Sequence, residues 1–511
     1  MSHLIKRALT ITGVILGVAG GTTFAQARVP DTVLDPIALE RWADDVFGKA
    51  LAEHRFSGLG IVITKGDRVL LQKGYGYQDW QSKTPVSPDA TQFRIGSITK
   101  TFTATAILQL LERGQIKSLD DPANNYLKRI HFKPNDGQQI TVWDLLTHSA
   151  GFGNLKPLSV DGYDAKLPFS EKLLESLQPD YVRARGSVSV YCNYCYLVLG
   201  VMIEDITGQA VGEYLDDHIF LPLGMQRTLL DPGQKPAPDT IVQYTFLPDG
   251  PALALPYPAC PYEGIAPLSS ADGCINSTLS DMSKWLIANI REGGGAADRV
   301  LPPMYWKLAH TRHRGNLPNT NGFGAAWWVY NYNGEKVVQH SGSIEHLSLA
   351  LMFMDSKVGV FVTLAGGGEP SPNANVSSVV PAAVTGSVER RVTPPRTLIL
   401  EHFLGAPYFA TDSKADVTKY VGRYREMPKM QDPNWASIKP PNEITVASSG
   451  DGGLIIGGQG VYRLSGKDTF TLERAPDFET DRSRYVFETD AAGRVIRAYQ
   501  DVNAGGFERL N

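Results

Sequence analysis

Ser97 and Lys100 stand three residues apart in the single Ser-x-x-Lys of this chain. On a helix that spacing puts both side chains on one face, and a helix start turns backbone N–H groups outward. A serine hydroxyl is a weak nucleophile until a base takes its proton. A lysine can be that base only where burial or a neighbouring cation favours its neutral form. The pair reads either as a nucleophile with its base or as a capped surface helix with a solvated lysine. Tyr191-Cys192-Asn193 is the single Tyr-x-Asn. A phenol beside an ammonium can relay protons, and the Asn193 amide can both donate to and accept from a substrate amide. The competing reading is a buried tyrosine beside a helix cap. His340-Ser341-Gly342 is the third cluster: His340 is a candidate donor to a substrate carboxylate or carbonyl, and Gly342 a place where substrate backbone lies against a strand edge. A second His-x-Gly, His313-Arg314-Gly315, lies in a polar stretch with no strand before it, and Lys357-Val358-Gly359 reads as a turn.

Elements that would position these residues follow from periodicity. Residues 58–64 and 69–77 read as two strands joined by Lys65-Gly66-Asp67. Ile98, Phe102, Ala106, Ile107, Leu110 and Leu111 recur with the spacing of an amphipathic helix that Gly114 ends. Further helices are expected over 142–147, 170–177, 194–206, 211–218 and 279–292, and strands over 337–340, 347–354 and 358–364. Early strands, a helical middle and late strands predict a sheet assembled from both ends of a domain. The Gly- and Pro-rich stretch 367–396 marks a boundary, with a last helix expected near 373–388. Beyond it, short alternating stretches separated by Gly and Asp turns predict an all-β module, a small barrel.

Taken in order, Ser97-x-x-Lys100, Tyr191-x-Asn193 and His340-x-Gly342 resemble the penicillin-recognising serine hydrolase family, which holds class C β-lactamases, D-alanyl-D-alanine carboxypeptidases, D-aminopeptidases and related esterases. Leu145-Leu146-Thr147-His148-Ser149-Ala150-Gly151, Leu221-Pro222-Leu223-Gly224-Met225, Leu119-Asp120-Asp121-Pro122 and Gly322-Phe323-Gly324 are similar to further family segments. The resemblance covers roughly residues 35–390. It implies an α+β fold: a β-lactamase/transpeptidase-like domain, an antiparallel sheet flanked by helices, over 28–395, then a lipocalin-like all-β domain over 396–511. It implies that Ser97 forms an acyl-enzyme, that Lys100 and Tyr191 share the proton traffic, and that the backbone N–H groups of Ser97 and Ser343 form the oxyanion hole. Asn193, His340, Gly342 and Ser343 would bind substrate, no metal or organic cofactor is implied, and His148 would be a structural member of its segment. The family's β-lactamases carry Lys where His340 stands, and Cys192 stands where Ser, Ala or Gly is usual. The implied activity is a peptidase or amidase on small or D-amino-acid-containing peptides, with an esterase, a β-lactamase and a non-catalytic β-lactam or peptidoglycan binder as alternatives. Carboxylate-bearing substrates are expected to bind more weakly as pH rises through the titration of His340, and Cys192→Ser to lose little activity.

The 511 residues are 42% apolar and 20% charged with a net charge of −4, which fits a folded protein and excludes a basic nucleic-acid footprint. No Gly-x-Ser-x-Gly is present, which disfavours an α/β-hydrolase. Lys6-Arg7, the apolar run from Ala8 and Ala25-Gln26-Ala27 form a signal-peptide pattern over 1–27. A periplasmic or secreted protein is therefore expected, with no stable membrane insertion after cleavage. The expected partner is a small-molecule or short-peptide substrate, and a homo-oligomer is left open. Of the four cysteines, Cys260 and Cys274 flank a Pro- and Gly-rich loop suited to a bridge, whereas Cys192 and Cys195 are expected as small buried thiols.

Overall fold

The computed structural model describes residues 28–153, 178–230, 237–245, 253–254, 271–295, 299–317, 320–343, 346–366, 396–407, 416–427, 443–458, 460–473, 484–500 and 506–510. The expected helices near 170–177 and 373–388, and the signal pattern, lie outside them.

A nine-stranded antiparallel sheet organises the first domain. Its order in space is Thr84–Pro85, Arg68–Asp79, Gly58–Lys65, Val358–Ala365, His346–Phe353, Glu335–Ser343, Trp328–Tyr332, Gly322–Phe323 and Arg314–Gly315. The seam joins the two ends of the domain: Gly58 pairs with Ala365 and Lys65 with Val358. Both faces are covered, and period-two alternation sorts the side chains between them. Val62, Val338, Ala350, Met352 and Phe361 enter the larger core beneath the helices, while Leu59, Ile61, Ile63, Leu349 and Leu351 face a second core. That second face is closed by the helices Pro36–Ala43 and Arg396–Leu404. Arg396–Leu404 corrects the expected division of the chain at residue 396. Ile399, Leu400, Phe403 and Leu404 bury against the catalytic sheet, and Asn333 donates to the carbonyl of Leu404 at 3.1 Å.

The helix Thr99–Glu112 is also not amphipathic as expected: every residue from Thr99 to Leu110 is buried. Its threonine hydroxyls and the Gln109 Nε2 find partners inside the protein, which lets a helix of mixed composition occupy the centre of the core. Thr101 and Thr105 donate to carbonyls one turn back, of Ile98 at 2.7 Å and Thr101 at 2.8 Å. Gln109 reaches the carbonyls of His218 and Val300, each at 2.9 Å.

Beyond the sheet, eight strands from Gly422–Glu426 to Gly506–Arg509 close into an antiparallel barrel, the first pairing with the last. Eight strands leave an interior that side chains can fill. Here Tyr420, Tyr424, Phe470, Phe487, Tyr462 and Tyr485 fill it, so this barrel is a packed core. No helix among the described residues is long and apolar enough to cross a membrane.

Candidate active site

Ser97 lies in a single tight turn, Gly96–Ile98, that runs directly into Thr99–Glu112. The residue is half-buried, and its hydroxyl accepts a hydrogen bond from Lys100 Nζ at 3.0 Å. Lys100 is fully buried and also donates to the carbonyl of Asp272 at 2.5 Å. The Asp272 carboxylate stands 3.8 Å from the same nitrogen. Around Nζ lie two aromatic faces, the rings of Tyr191 at 5.1 Å and Tyr196 at 5.8 Å. Hydroxyl, amine and phenol ring, far apart in the chain, thus meet in one place.

The turn that carries Ser97 is set by a close backbone approach. Gly96 has φ +57°, and a Cβ there would lie 2.9 Å from the Ser343 nitrogen. A Cβ on Gly342 would lie 1.9 Å from the carbonyl oxygen of Ile95. Two glycines therefore face each other across the contact between the nucleophile turn and the strand Glu335–Ser343, and any side chain would drive them apart. This revises the expectation for Gly342. Its bare backbone makes room for the Ile95-Gly96 turn, and that contact sets the Ser343 nitrogen against Gly96, the residue before Ser97. On the other side the strand does present an edge: Trp328–Tyr332 pairs with it only as far as Gln339, leaving 340–343 without a partner strand there among the described residues.

Tyr191 and Asn193 sit at the start of the helix Asn193–Thr207, whose cap is Cys192. His148 grips this start twice. Its carbonyl accepts from Val190 N at 2.8 Å, and its Nδ1 accepts from Cys192 N at 2.9 Å. Its ring stacks on Tyr191 with centroids 4.6 Å apart. Burial drives the His148 pKa well below the ordinary histidine value, with the Lys100 charge as a second cause. The His148 segment is itself braced by the short helix Val142–Leu146, which a Thr141–Asp144 capping box starts. Cys192 and Cys195 form a disulfide, Cα atoms 5.4 Å apart, which corrects the reading of free buried thiols: a helical first turn brings positions i and i+3 within bridging distance. Cys274 is disulfide-bonded, while Cys260, the expected partner, lies outside the described residues. The Asn193 Oδ1 is buried and accepts no hydrogen bond among the described residues.

His340 is buried on the same wall, its ring 6.1 Å from that of Tyr191. Its Nδ1 lies 2.7 Å from the carbonyl oxygen of Ser341. A carbonyl only accepts, so Nδ1 carries the proton and Nε2 of the neutral ring is an acceptor. That Nε2 is buried without a partner among the described residues. Burial, reinforced by the Lys100 charge, pushes the His340 pKa down to about 3. The expected donor to a carboxylate is thus a neutral acceptor across the neutral pH range. The discounted His313 stacks on Trp143 at 3.9 Å, and Arg314–Gly315 forms the edge strand of the sheet. The far wall of the site is Phe323 and Trp328, which pack with Tyr191. The barrel touches this wall: Arg484 donates to Asn321 Oδ1 at 3.5 Å.

Asp272 was not among the residues singled out from the sequence. Ala271-Asp272-Gly273-Cys274 carries no spacing that points to Lys100, and only the fold joins them. No group of three or more metal-ligating side chains occurs among the described residues.

A serine hydroxyl hydrogen-bonded to a buried lysine at a helix start, in an α+β fold, is an arrangement that nucleophilic acyl transfer can use. Residues 43–379 match the Beta-lactamase family, and the chain belongs to it. Among curated relatives, Protein flp of Staphylococcus aureus strain MW2 is 27% identical over 335 residues, 63% of this chain and 62% of that protein. The chain thus spans less than two thirds of that relative's length. Among solved structures, the octameric penicillin-binding protein homologue from Pyrococcus abyssi has a TM-score of 0.54 at 24% identity, over 93% of this chain and 99% of that one. The crystal structure of SurE with D-Leu has a TM-score of 0.56 at 18% identity, over 93% and 99%. Both likenesses extend through the C-terminal barrel and concern the fold.

Proposed function

We propose that this chain is an exported serine hydrolase that cleaves amide bonds in short peptides, D-configured residues included, through an acyl-enzyme on Ser97. The observation that carries it is the 3.0 Å hydrogen bond from a buried Lys100 to the Ser97 hydroxyl. Ser97 Oγ forms a bond to the substrate carbonyl carbon while its proton passes to Lys100. The oxyanion is met by the backbone N–H groups of Ser97 and Ser343. As the C–N bond breaks, the proton travels by way of the Tyr191 phenol to the leaving amine. Water then attacks the ester and Ser97 recovers its proton.

Two features favour an amide over a plain ester. The buried, unsatisfied Asn193 Oδ1 matches an N–H donor, which a peptide supplies and a simple ester lacks. The open edge at 340–343 suits extended peptide backbone. The neutral His340 offers no cation to a β-lactam carboxylate, which ranks β-lactams below peptides. SurE was crystallised with D-Leu, which supports a D-configured residue at the reacting bond. The test is a panel of L- and D-peptide amides, p-nitrophenyl esters and nitrocefin with purified protein and the Ser97→Ala variant. Peptide cleavage that disappears with Ser97→Ala is expected. Ester turnover with no cleavage of any amide would make it an esterase. Export is tested by N-terminal sequencing of the mature protein, which is expected to begin after Ala27.

A further inference from the structure

We propose that Asp272 is a positioning residue of this site, the buried counterion that stabilises the ammonium Lys100 becomes when it takes the Ser97 proton. The inference rests on the Ser97 acyl-enzyme reading and adds a fourth residue to it. Lys100 and Asp272 have side-chain exposures of 0% and 4%, with Nζ 3.8 Å from Oδ2. In so dry a place an ion pair is screened little by solvent.

Asp272 is held there by the helix that carries the nucleophile. Lys100 donates to the Asp272 carbonyl, Thr103 donates to the Ala271 carbonyl at 2.6 Å, and Ile275 N donates to Thr99 Oγ1 at 3.1 Å. Three side chains from the first turn and a half of one helix thus fix the main chain of the segment 271–275, which carries the Asp272 side chain to Nζ.

Proton transfer from Ser97 changes Lys100 from a neutral amine to an ammonium and leaves the negative charge on the oxyanion. The other groups facing Lys100 do not neutralise that new charge. Tyr191 and Tyr196 present ring faces. His340 and His148 are both driven toward their neutral forms, each in part by Lys100. The Asp272 carboxyl is the one acidic group shown within 4 Å of Nζ among the described residues.

A counterion leaves a signature that simple bracing does not. An opposite charge at this distance favours the ammonium over the neutral amine, so it favours proton uptake from Ser97. Asp272→Asn keeps the main-chain carbonyl and removes the charge. Acylation of the full chain by p-nitrophenyl acetate, followed by intact mass at each pH, is expected to show two changes together. The alkaline plateau falls, and the acidic limb moves to lower pH or vanishes, since removing an opposite charge removes what favours the charged form of its partner. Thr103→Val is the control, since it loosens the same segment without touching charge; its plateau falls while its limb stays. A limb unmoved in Asp272→Asn overturns the proposal. So does failure of both Asp272→Asn and Asp272→Ser to fold, because that outcome assigns Asp272 to the architecture. If wild-type Ser97 is not acylated at any pH, the acyl-enzyme reading itself fails, and the two failures are thereby told apart.

Discussion

Two helix starts meet at the site, and they are held by different means. The start of Thr99–Glu112 positions Ser97 and Lys100 from within: one helical turn sets their separation, and two glycines let the turn press against the strand Glu335–Ser343. The start of Asn193–Thr207 positions Tyr191 and Asn193 from outside: His148 supplies two hydrogen bonds and a stacked ring, and a disulfide closes the turn. A nucleophile and its base keep their geometry wherever the helix goes, because they share it. The phenol must be aimed at that pair from another element, and the chain spends a buried histidine and a covalent bridge on the aim. Damage to the first start should therefore abolish chemistry outright, and damage to the second should degrade it by steps.

The largest expected effect is at the first start. Ser97→Ala and Lys100→Met each lower peptide turnover by at least about 10³-fold, because nucleophile and base act as a unit. A residual rate within tenfold of wild type in either variant would break the comparison. At the second start, Tyr191→Phe removes the proton relay and costs about 10²- to 10⁴-fold in kcat, with KM little changed. A change confined to KM would make Tyr191 a binding residue.

Removing the brace comes next. The Cys192→Ser, Cys195→Ser double variant is expected to lose several-fold in kcat, less than Tyr191→Phe. It should also lose about 2 kcal/mol of stability in urea unfolding, since the bridge closes a loop of only four residues. The sequence alone suggested that Cys192→Ser would cost little. Unchanged kcat and unchanged stability together would return Cys192 to that reading.

The smallest effect is on pH. Binding of carboxylate-bearing peptides is expected to be flat from pH 5 to 8 as far as His340 is concerned, since burial holds its pKa near about 3. This reverses the expectation from sequence. Folding stability carries the trace instead. His340 and His346, both pushed down to about 3 by burial, bind protons in the unfolded chain before they do so in the folded one. Their contribution is intact above the ordinary histidine value and is lost as pH falls through it toward about 3, by at most about 1.4 kcal/mol per pH unit for each histidine. Urea unfolding at pH 7.5 and pH 5.5 should show the lower stability at pH 5.5, with a smaller difference in His346→Gln. Equal stability at both pH values would contradict the neutral, buried state.

The same contrast explains what could be read from the residues. Ser97 and Lys100 were legible because a single helix turn fixes them. The strands Gly58–Lys65 and Val358–Ala365 were legible because long apolar runs bounded by turn residues leave few other uses for such sequence. The barrel was legible from short alternations between Gly and Asp. Helix Thr99–Glu112 reads as amphipathic in the sequence because the partners of Thr99, Thr103 and Gln109 come only from tertiary structure. Gly342 was assigned to substrate because nothing in the chain shows that Ile95 will lie against it. The orientation of His340 turned on the Ser341 carbonyl, and Asp272 on a segment brought in from far along the chain; neither has a local pattern. Residues that act through their own element are visible in sequence, and residues that act across elements are not.

The central claim is that Ser97, activated by Lys100, becomes covalently acylated. Intact-protein mass spectrometry after exposure to a fluorophosphonate tests it directly. The expected result is one adduct per chain, mapped to Ser97, absent in Ser97→Ala and formed far more slowly in Lys100→Met. No adduct on the wild-type chain, or an adduct that persists in Ser97→Ala, would contradict the account.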